Sequence, residues 1–180
     1  MTSPFLAGTG LYLRGLEETD AAGSYPTWFN DTEVCRGNSH HVFPYSREQA
    51  LDYIRSTRGN HSALVLAIVL PDRDRHIGNI TLQSIHPINR SAEFAILIGD
   101  KAAWGKGHAA EAAKLLCRHG FETLNLHRIY CGTLADNQGM IRLAQTLGMK
   151  EEGRRREAIF KNGRYTDIIE FGMLSTEFQH

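Results

Sequence analysis

The sequence predicts a single α/β domain of the α+β kind, in which helices flank a central, mixed and mostly antiparallel twisted sheet. Three apolar strand-like segments follow one another closely between residues 62 and 99, and a long amphipathic helix comes next. A strand, a helix and a hairpin complete the chain. Short connections favour antiparallel pairing. Because 180 residues with 42% hydrophobic side chains suffice for one core, we expect one domain over residues 1–180.

The first half of the chain begins with a strand at 10–15, where Leu11 and Leu13 alternate with other residues. A helix is predicted over 17–30. A second helix over 46–58 begins with Ser46 and Gln49, a spacing typical of a capping box. Proline-containing turns then separate three predicted strands, at 62–70, 76–85 and 91–99.

The second half begins with the longest predicted helix, at 105–124, whose apolar residues recur with helical spacing. A strand at 128–134 and a helix at 137–147 follow, and Gly148 is suited to cap that helix. Asn162-Gly163, a strong hairpin signal, joins the last two predicted strands, at 150–160 and 165–174.

Charge and composition limit the partners. Lys and Arg balance Asp and Glu, so no general basic field exists to hold nucleic acid. The apolar runs are too short to cross a bilayer, and no signal-peptide pattern is visible. We expect a cytoplasmic protein without a nucleic-acid or membrane partner. The three cysteines are widely spaced and no histidine pair has zinc-binding spacing, which predicts reduced thiols and no metal site.

A glycine-rich turn opens the long helix. The preceding strand ends at Gly99, and Trp104-Gly105-Lys106-Gly107-His108-Ala109 follows shortly afterwards. Glycine lets the backbone approach a ligand closely, and the first turn of a helix leaves N–H groups unpaired at the positive end of the helix dipole. This arrangement favours phosphate groups. A purely structural strand-to-helix turn is the alternative.

Two other phosphate-binding motifs fit this turn less well. A Rossmann site needs an acidic residue about 20 residues further on, but the strand at 128–134 ends without a carboxylate. A Walker P-loop needs four residues between its first glycine and Gly-Lys, and then Ser or Thr. Here His108 follows Gly107.

The turn resembles motif A of the GNAT acetyltransferases, Gln/Arg-x-x-Gly-x-Gly/Ala, with Gly107 and Ala109 at the last two fixed positions. Trp104 replaces the usual Gln or Arg, and Trp-Gly-Lys-Gly is similar to the Rim-type (RimJ/RimL-like) branch, the ribosomal-protein N-terminal acetyltransferases and relatives. The resemblance covers residues 10–178. Its other markers, in the order of that branch, are Trp28-Phe29-Asn30-Asp31, Glu111-Ala112, Phe121, His127-Arg128, Asn137, Leu147-Gly148, Glu152-Gly153, and Asn162-Gly163 before Tyr165 and Asp167.

The resemblance implies acetyl-CoA as co-substrate and no metal. The backbone of Leu97, Ile98 and Gly99 would pair with the pantetheine arm, although Leu97 and Ile98 also suit core packing. Asn137 would bond the same arm while capping its helix, and Arg142 would meet the phosphates unless it is only a solvated residue. The pyrophosphate would lie against the turn, which comprises Trp104, Gly105, Lys106, Gly107, His108 and Ala109, with Lys106 either adding charge or remaining solvated.

Acetyl transfer to nitrogen needs a neutral amine, and an alkylamine with a pKa of about 10 is mostly protonated at neutral pH. A base is therefore useful. Glu93 matches the glutamate that several GNAT relatives use as base; a salt-bridged surface carboxylate is the alternative. His40 and His41 are rival bases, because imidazole titrates near neutrality. They lie in the loop that lines the acceptor cleft in this family, so they are also predicted to bind the acceptor.

The general acid stays unassigned in the sequence. Many GNATs place a tyrosine seven residues after the asparagine, where this chain has Ala144. Rim-type enzymes often have Ser or Ala three residues after it, where this chain has Met140. Tyr130 or water could protonate the leaving thiolate, or positioning alone could account for most of the rate.

The resulting prediction is an N-acetyltransferase in which a primary amine attacks acetyl-CoA directly in a ternary complex. The acceptor is a protein N-terminus or a small amine, such as an amino sugar or an aminoglycoside; the neutral net charge argues mildly against polyamines. A catalytically quiet acyl-CoA-binding sensor is the alternative. The resemblance also allows a homodimer.

Overall fold

The computed structural model describes residues 3–179, which form one mixed sheet of eight strands with helices on both faces. The strand order is β1-β2-β3-β4-β5-β6-β8-β7, and every neighbouring pair is antiparallel except β5 and β6. The predicted fold class is therefore confirmed. The strands are β1 Leu6–Ala7, β2 Tyr12–Gly15, β3 Leu64–Leu70, β4 Arg75–His86, β5 Ser91–Ile98, β6 Arg128–Leu134, β7 Lys150–Lys161 and β8 Arg164–Leu174. The α-helices are α1 Tyr25–Trp28, α2 Arg47–Thr57, α3 His108–Glu122 and α4 Gln138–Thr146.

Each face of the sheet buries its own apolar cluster. Helices α3 and α4 cover one face, where Leu116 and Leu143 pack with Phe94, Ile129 and other buried strand residues. On the opposite face, the segment containing α1 and the helix α2 packs over the first strands and over Leu97 of β5. Alternating side chains along β5 therefore point into different clusters, as a strand buried on both faces requires.

The parallel pair β5 and β6 separates part-way along the sheet. Their register runs only from Ser91↔Arg128 to Glu93↔Tyr130, although β5 continues to Ile98 and β6 to Leu134. Beyond this point, among the described residues, β5 pairs only with β4, and β6 pairs only with β8. The two strands therefore border a cleft that opens toward their C-terminal ends.

The predicted helix at 17–30 is wrong as a continuous element. The chain instead forms a 3₁₀ turn at Glu18–Ala22 and the one-turn helix α1. Gly23 has an extended conformation between them. Pro26 cannot donate a helical hydrogen bond and its ring would clash with the carbonyl four residues earlier, so it is tolerated only in the first turn of a new helix.

Two other boundaries differ from the prediction. The long helix begins at His108 rather than at 105, because Gly105 and Gly107 adopt left-handed conformations with φ of 71° and 83°. The strand predicted at 10–15 begins at Tyr12, and the two-residue β1 was not predicted. The Ser46–Gln49 capping box and the strand Arg128–Leu134 agree with the prediction. So does the Asn162-Gly163 turn, in which both residues have positive φ, as a type I′ hairpin requires.

Candidate active site

The turn before α3 exposes a row of backbone donors. Within residues 3–179, the amide groups of Gly105 through Ala109 donate to no protein acceptor. The left-handed Gly107 is the N-cap, and a Cβ built on Gly105 or Gly107 would meet open space. Amides at a helix N-terminus with nothing covering them suit an anion such as a pyrophosphate.

Local contacts hold this turn against the end of β5. The indole Nε1–H of Trp104 donates to the carbonyl of Ile98 at 2.8 Å. A carboxylate oxygen of Asp100 accepts from the amide of Ala102 at 2.9 Å and starts the short 3₁₀ helix that leads to the turn. The Trp104 side chain thus fixes the turn relative to β5, a structural role that its place in the motif does not predict.

A contact that the sequence did not predict borders the same turn. Glu111 lies in the first turn of α3, and its carboxylate accepts from the amides of Thr9 and Gly10 at 2.7 and 2.8 Å. Burial raises the pKa of Glu111, but these hydrogen bonds lower it more, so the net pKa lies below the ordinary value. Gly8 leaves room for the carboxylate, since a Cβ there would lie 2.4 Å from a Glu111 oxygen. The β1–β2 hairpin is thereby fixed beside the turn that precedes α3.

The predicted pantetheine-binding residues lie at the open end of the cleft. Leu97 and Ile98 also pack into the two clusters on opposite faces, so the core-packing alternative holds for their side chains. The amide of Gly99 donates to Ile77 at 2.9 Å. Gly99 cannot carry a side chain, because a Cβ would lie 1.9 Å from the Trp28 ring. The pairing of this backbone with a pantetheine arm stays a prediction.

Glu93 lies where β5 and β6 separate. It is half-buried, and one of its carboxylate oxygens accepts from the side-chain amide of Gln83 at 3.0 Å. Among the described residues Glu93 forms no ion pair, so its partner is neutral rather than the cation that a salt-bridged surface carboxylate would have. Tyr130 is its register partner on β6, and Arg128 stacks over the Tyr130 ring at 5.5 Å. The candidate base and a candidate acid therefore share one face of the sheet.

The acceptor loop, which we define as residues 31–45, crosses the open end of the cleft. Near its start, Asp31 and Glu33 accept from Lys101, which follows β5, at 2.8 and 2.7 Å. Further on, the carbonyl of Gly37 accepts from the side-chain amide of Asn137, which follows β6, at 2.9 Å. The loop is thus attached to both sides of the opening.

Asn137 has the capping role that the sequence predicted. Its side-chain oxygen accepts from the amide of Met140 at 3.2 Å, while its side-chain nitrogen donates to the acceptor loop. The predicted bond from Asn137 to the pantetheine arm stays a prediction. Arg142 and Lys106 are exposed and form no ion pair among the described residues, and Ala144 is fully buried.

His40 and His41 line a cavity of about 430 Å³ between the acceptor loop and the end of β7. Burial, together with the charge of Lys161, lowers the pKa of His40 below its ordinary value, which favours the neutral imidazole. The His40 ring packs edge-on against Phe29 at 4.8 Å. Both histidines therefore border a cavity beside the acceptor loop, and their contact with an acceptor stays a prediction.

The remaining reactive groups offer little alternative chemistry. All three cysteines are free and buried, and burial raises the pKa of Cys117 and of Cys131 to about 12. These thiols are protonated at neutral pH and are poor nucleophiles. Across residues 3–179, no three His, Cys, Asp or Glu side chains gather as metal ligands. In the same part of the chain, no helix is both long and apolar enough for a membrane span.

Comparison with known proteins assigns the family. A family model described as "Acetyltransferase (GNAT) domain" matches residues 10–150. A spermidine N(1)-acetyltransferase of Vibrio cholerae is 31% identical over 75% of this chain and 78% of its own length, and a probable N-acetyltransferase of Bacillus subtilis is 29% identical over 90% of this chain and 92% of its own. The crystal structure of a V. cholerae spermidine N-acetyltransferase in complex with CoA and spermine has a TM-score of 0.85, with 27% identity, and covers 93% of this chain and 97% of its own.

The chain belongs to the GNAT acetyltransferase family. The predictions of the family and of an acetyltransferase are therefore confirmed. The Rim-type branch is a finer assignment within the family. The relatives reported above are not named as ribosomal-protein acetyltransferases, so they do not establish that branch.

Proposed function

We propose that this chain transfers the acetyl group of acetyl-CoA to a primary amine by direct attack in a ternary complex. The observation that supports it is the cleft between β5 and β6, whose open end is bordered by the amides of Gly105 through Ala109, which are unpaired within residues 3–179. In this reaction the N–C bond forms, the C–S bond breaks, and the amine loses a proton. The backbone donors hold the phosphates, and the strand end at Leu97, Ile98 and Gly99 lies along the thiol-bearing arm.

Glu93 is the proposed base for the proton that the amine loses. Its hydrogen bond from Gln83 fixes the carboxylate at the inner end of the cleft, and it forms no ion pair among residues 3–179. Direct transfer or transfer through one water molecule both suit this position. Tyr130, its register partner, is the proposed source of a proton for the departing thiolate.

Glu93→Gln tests this assignment. We expect turnover to fall by about 10²-fold or more, while the affinity for acetyl-CoA stays unchanged because the anion-binding turn is intact. Release of free thiol measures turnover, and calorimetry measures binding. Glu151→Gln, which neutralises an exposed carboxylate on β7, is the matched control and should leave both values unchanged. Full turnover in the Glu93 variant would remove this residue from the mechanism.

The proposal also covers the identity of the acceptor, the Rim-type branch and the quaternary structure. The Trp-Gly-Lys-Gly opening at Trp104 supports the branch, and an acceptor that is a protein N-terminus or a small amine agrees with it. The relatives named for spermidine add polyamines as candidates to be tested. A homodimer and a cytoplasmic location stay predictions. If the protein binds CoA but releases no thiol with a broad panel of amines, it is the acyl-CoA sensor instead.

A further inference from the structure

The cavity beside His40 has apolar and uncharged polar walls, and Lys161 is the one lysine or arginine among the described residues that line it. Val42 of the acceptor loop and Ile159 and Phe160 of β7 supply apolar surface, and Lys161 supplies the charge. No Asp or Glu is among the described residues that line the cavity. A ligand that enters therefore meets a positive charge without a carboxylate to offset it.

Lys161 is fixed by oxygen atoms that carry no net charge. Its ammonium group donates to the backbone carbonyls of Cys35 and His40 at 2.7 and 3.1 Å, and also to the carbonyl of Asn38. These bonds use all three donors of an ammonium group. The lysine therefore orders the acceptor loop, yet it has no carboxylate partner in the part of the chain that the structure describes.

Three carboxylates of the neighbouring segments are paired with other cations. Asp31 and Glu33 bind Lys101, and Asp136 binds Arg164 at 2.7 Å. Arg36, an exposed residue of the acceptor loop, has no ion pair among residues 3–179. Glu157 of β7, next to the lining residue Ala158, is likewise exposed and without an ion pair among these residues, so the charge inside the cavity is that of Lys161.

We propose that the acceptor is a primary monoamine with an apolar or uncharged body, and that Lys161 selects it over polyamines. This inference rests on the proposed function. A second ammonium group in the acceptor would be repelled by Lys161 in a partly desolvated cavity, where charges interact more strongly than in water. The same charge favours the neutral form of the attacking amine, since a neighbouring like charge disfavours protonation. The relatives named as spermidine acetyltransferases are named for a polyamine, so the preference proposed for this chain differs from the acceptor in their names.

The test compares hexylamine with 1,6-diaminohexane, which differ by one ammonium group, and includes spermidine. We expect kcat/KM from thiol release to be at least about tenfold higher for hexylamine than for either polyamine after correction for the number of amines. Lys161→Met should reduce this ratio at least about fivefold, whereas Lys161→Arg, which keeps the charge, should preserve most of it. Arg156→Met removes an exposed cation of β7 outside the cavity and should not change the ratio.

The ratio is measured within each variant, so a partial loss of folded protein cancels. An unchanged ratio in Lys161→Met would show that this lysine only holds the loop and would overturn the inference. Wild-type protein that acetylates spermidine as well as hexylamine overturns it without any variant, and it leaves the proposed acetyltransferase intact. If no amine in the panel stimulates thiol release, the proposed function itself is contradicted.

Discussion

The turn at 104–109 and the acceptor loop at 31–45 border the same opening in the sheet, but they are held in place differently. The turn depends on contacts between near neighbours in the chain, such as Trp104 to Ile98, six residues apart. The acceptor loop is attached by Lys101, Asn137 and Lys161, which lie 68, 100 and more than 120 residues away from their partners. The proposed cofactor side is therefore built from local backbone geometry, and the proposed acceptor side is held by distant side chains.

This difference separates two properties of the protein. A site made of backbone amides is insensitive to most side-chain changes nearby, which suits a co-substrate common to a whole family. A loop held by a few side chains can be altered one attachment at a time. We therefore expect substitutions at the turn to change CoA binding, and substitutions at the loop attachments to change the KM for the acceptor.

The largest effect is expected from Gly107→Val. Gly107 has a φ of 83°, and a left-handed conformation costs an L-residue about 1–2 kcal/mol, with a β-branched side chain fitting least well. The new side chain would also point into the open space in front of the amides. We expect the Kd for CoA to rise at least about tenfold, as measured by calorimetry.

Gly59→Val is the matched control for backbone strain. Gly59 has a φ of 69° and also faces open space, but it lies after α2 and outside the anion-binding turn. Both variants should lose thermal stability, and only the Gly107 variant should lose affinity for CoA. Equal CoA binding by the two variants would contradict a phosphate site at this turn.

A smaller effect is expected from Asn137→Ser, which separates the two hydrogen bonds of this side chain. Serine is a good N-cap, so the bond from the Met140 amide is replaced while the bond to Gly37 is lost. We expect the melting temperature to stay close to wild type and the KM for the acceptor to rise about two- to tenfold, the range for one hydrogen bond.

Asn137→Ala removes both bonds and should also lower the stability by about 1 kcal/mol. If the serine variant has an unchanged KM, the link between α4 and the acceptor loop has no part in acceptor binding. An increase confined to the Kd for CoA would instead support the predicted contact with the pantetheine arm.

The same contrast explains what the sequence could predict. The strand Arg128–Leu134, the Ser46 cap and the Asn162-Gly163 hairpin were predicted because each depends on residues close together in the chain. The prediction of a helix at 17–30 was wrong because its apolar residues suggested one continuous helix, whereas Gly23 and Pro26 divide the segment into two short helical turns.

The site divides in the same way. The phosphate-binding role of the turn was predicted from its glycines, and the role of Glu93 as a base from its resemblance to a known position; both stay predictions. Glu111 binding the Thr9 and Gly10 amides, and Lys161 binding the acceptor loop, were not predicted, because nothing in the sequence relates positions about 100 residues apart. A glutamate in the first turn of a helix looks like an ordinary partner of the helix dipole. The position of Tyr130 beside Glu93 follows from the pairing of β5 with β6, which the sequence does not show.

The smallest effect is expected from Lys101→Met, which removes the ion pairs at the other attachment of the acceptor loop. The side chains of Lys101, Asp31 and Glu33 are each at least 35% exposed, so solvent screens their interaction. We expect the melting temperature to stay within about 2 °C of wild type. The KM for the acceptor should rise less than about threefold at low salt, and the difference should disappear near 1 M salt, where the screening length is about 3 Å.

Lys114→Met is the control, because Lys114 is an exposed lysine of α3 without an ion pair among residues 3–179. It should change neither the KM nor its dependence on salt. Lys101→Met could instead raise the KM for the acceptor as much as Asn137→Ser does, or more, and the increase could persist at high salt. That result would reverse the expected order of importance of the two loop attachments. The loop would then depend mainly on its β5 side, and acceptor binding would be governed by Lys101 rather than by the hydrogen bonds from α4 and β7.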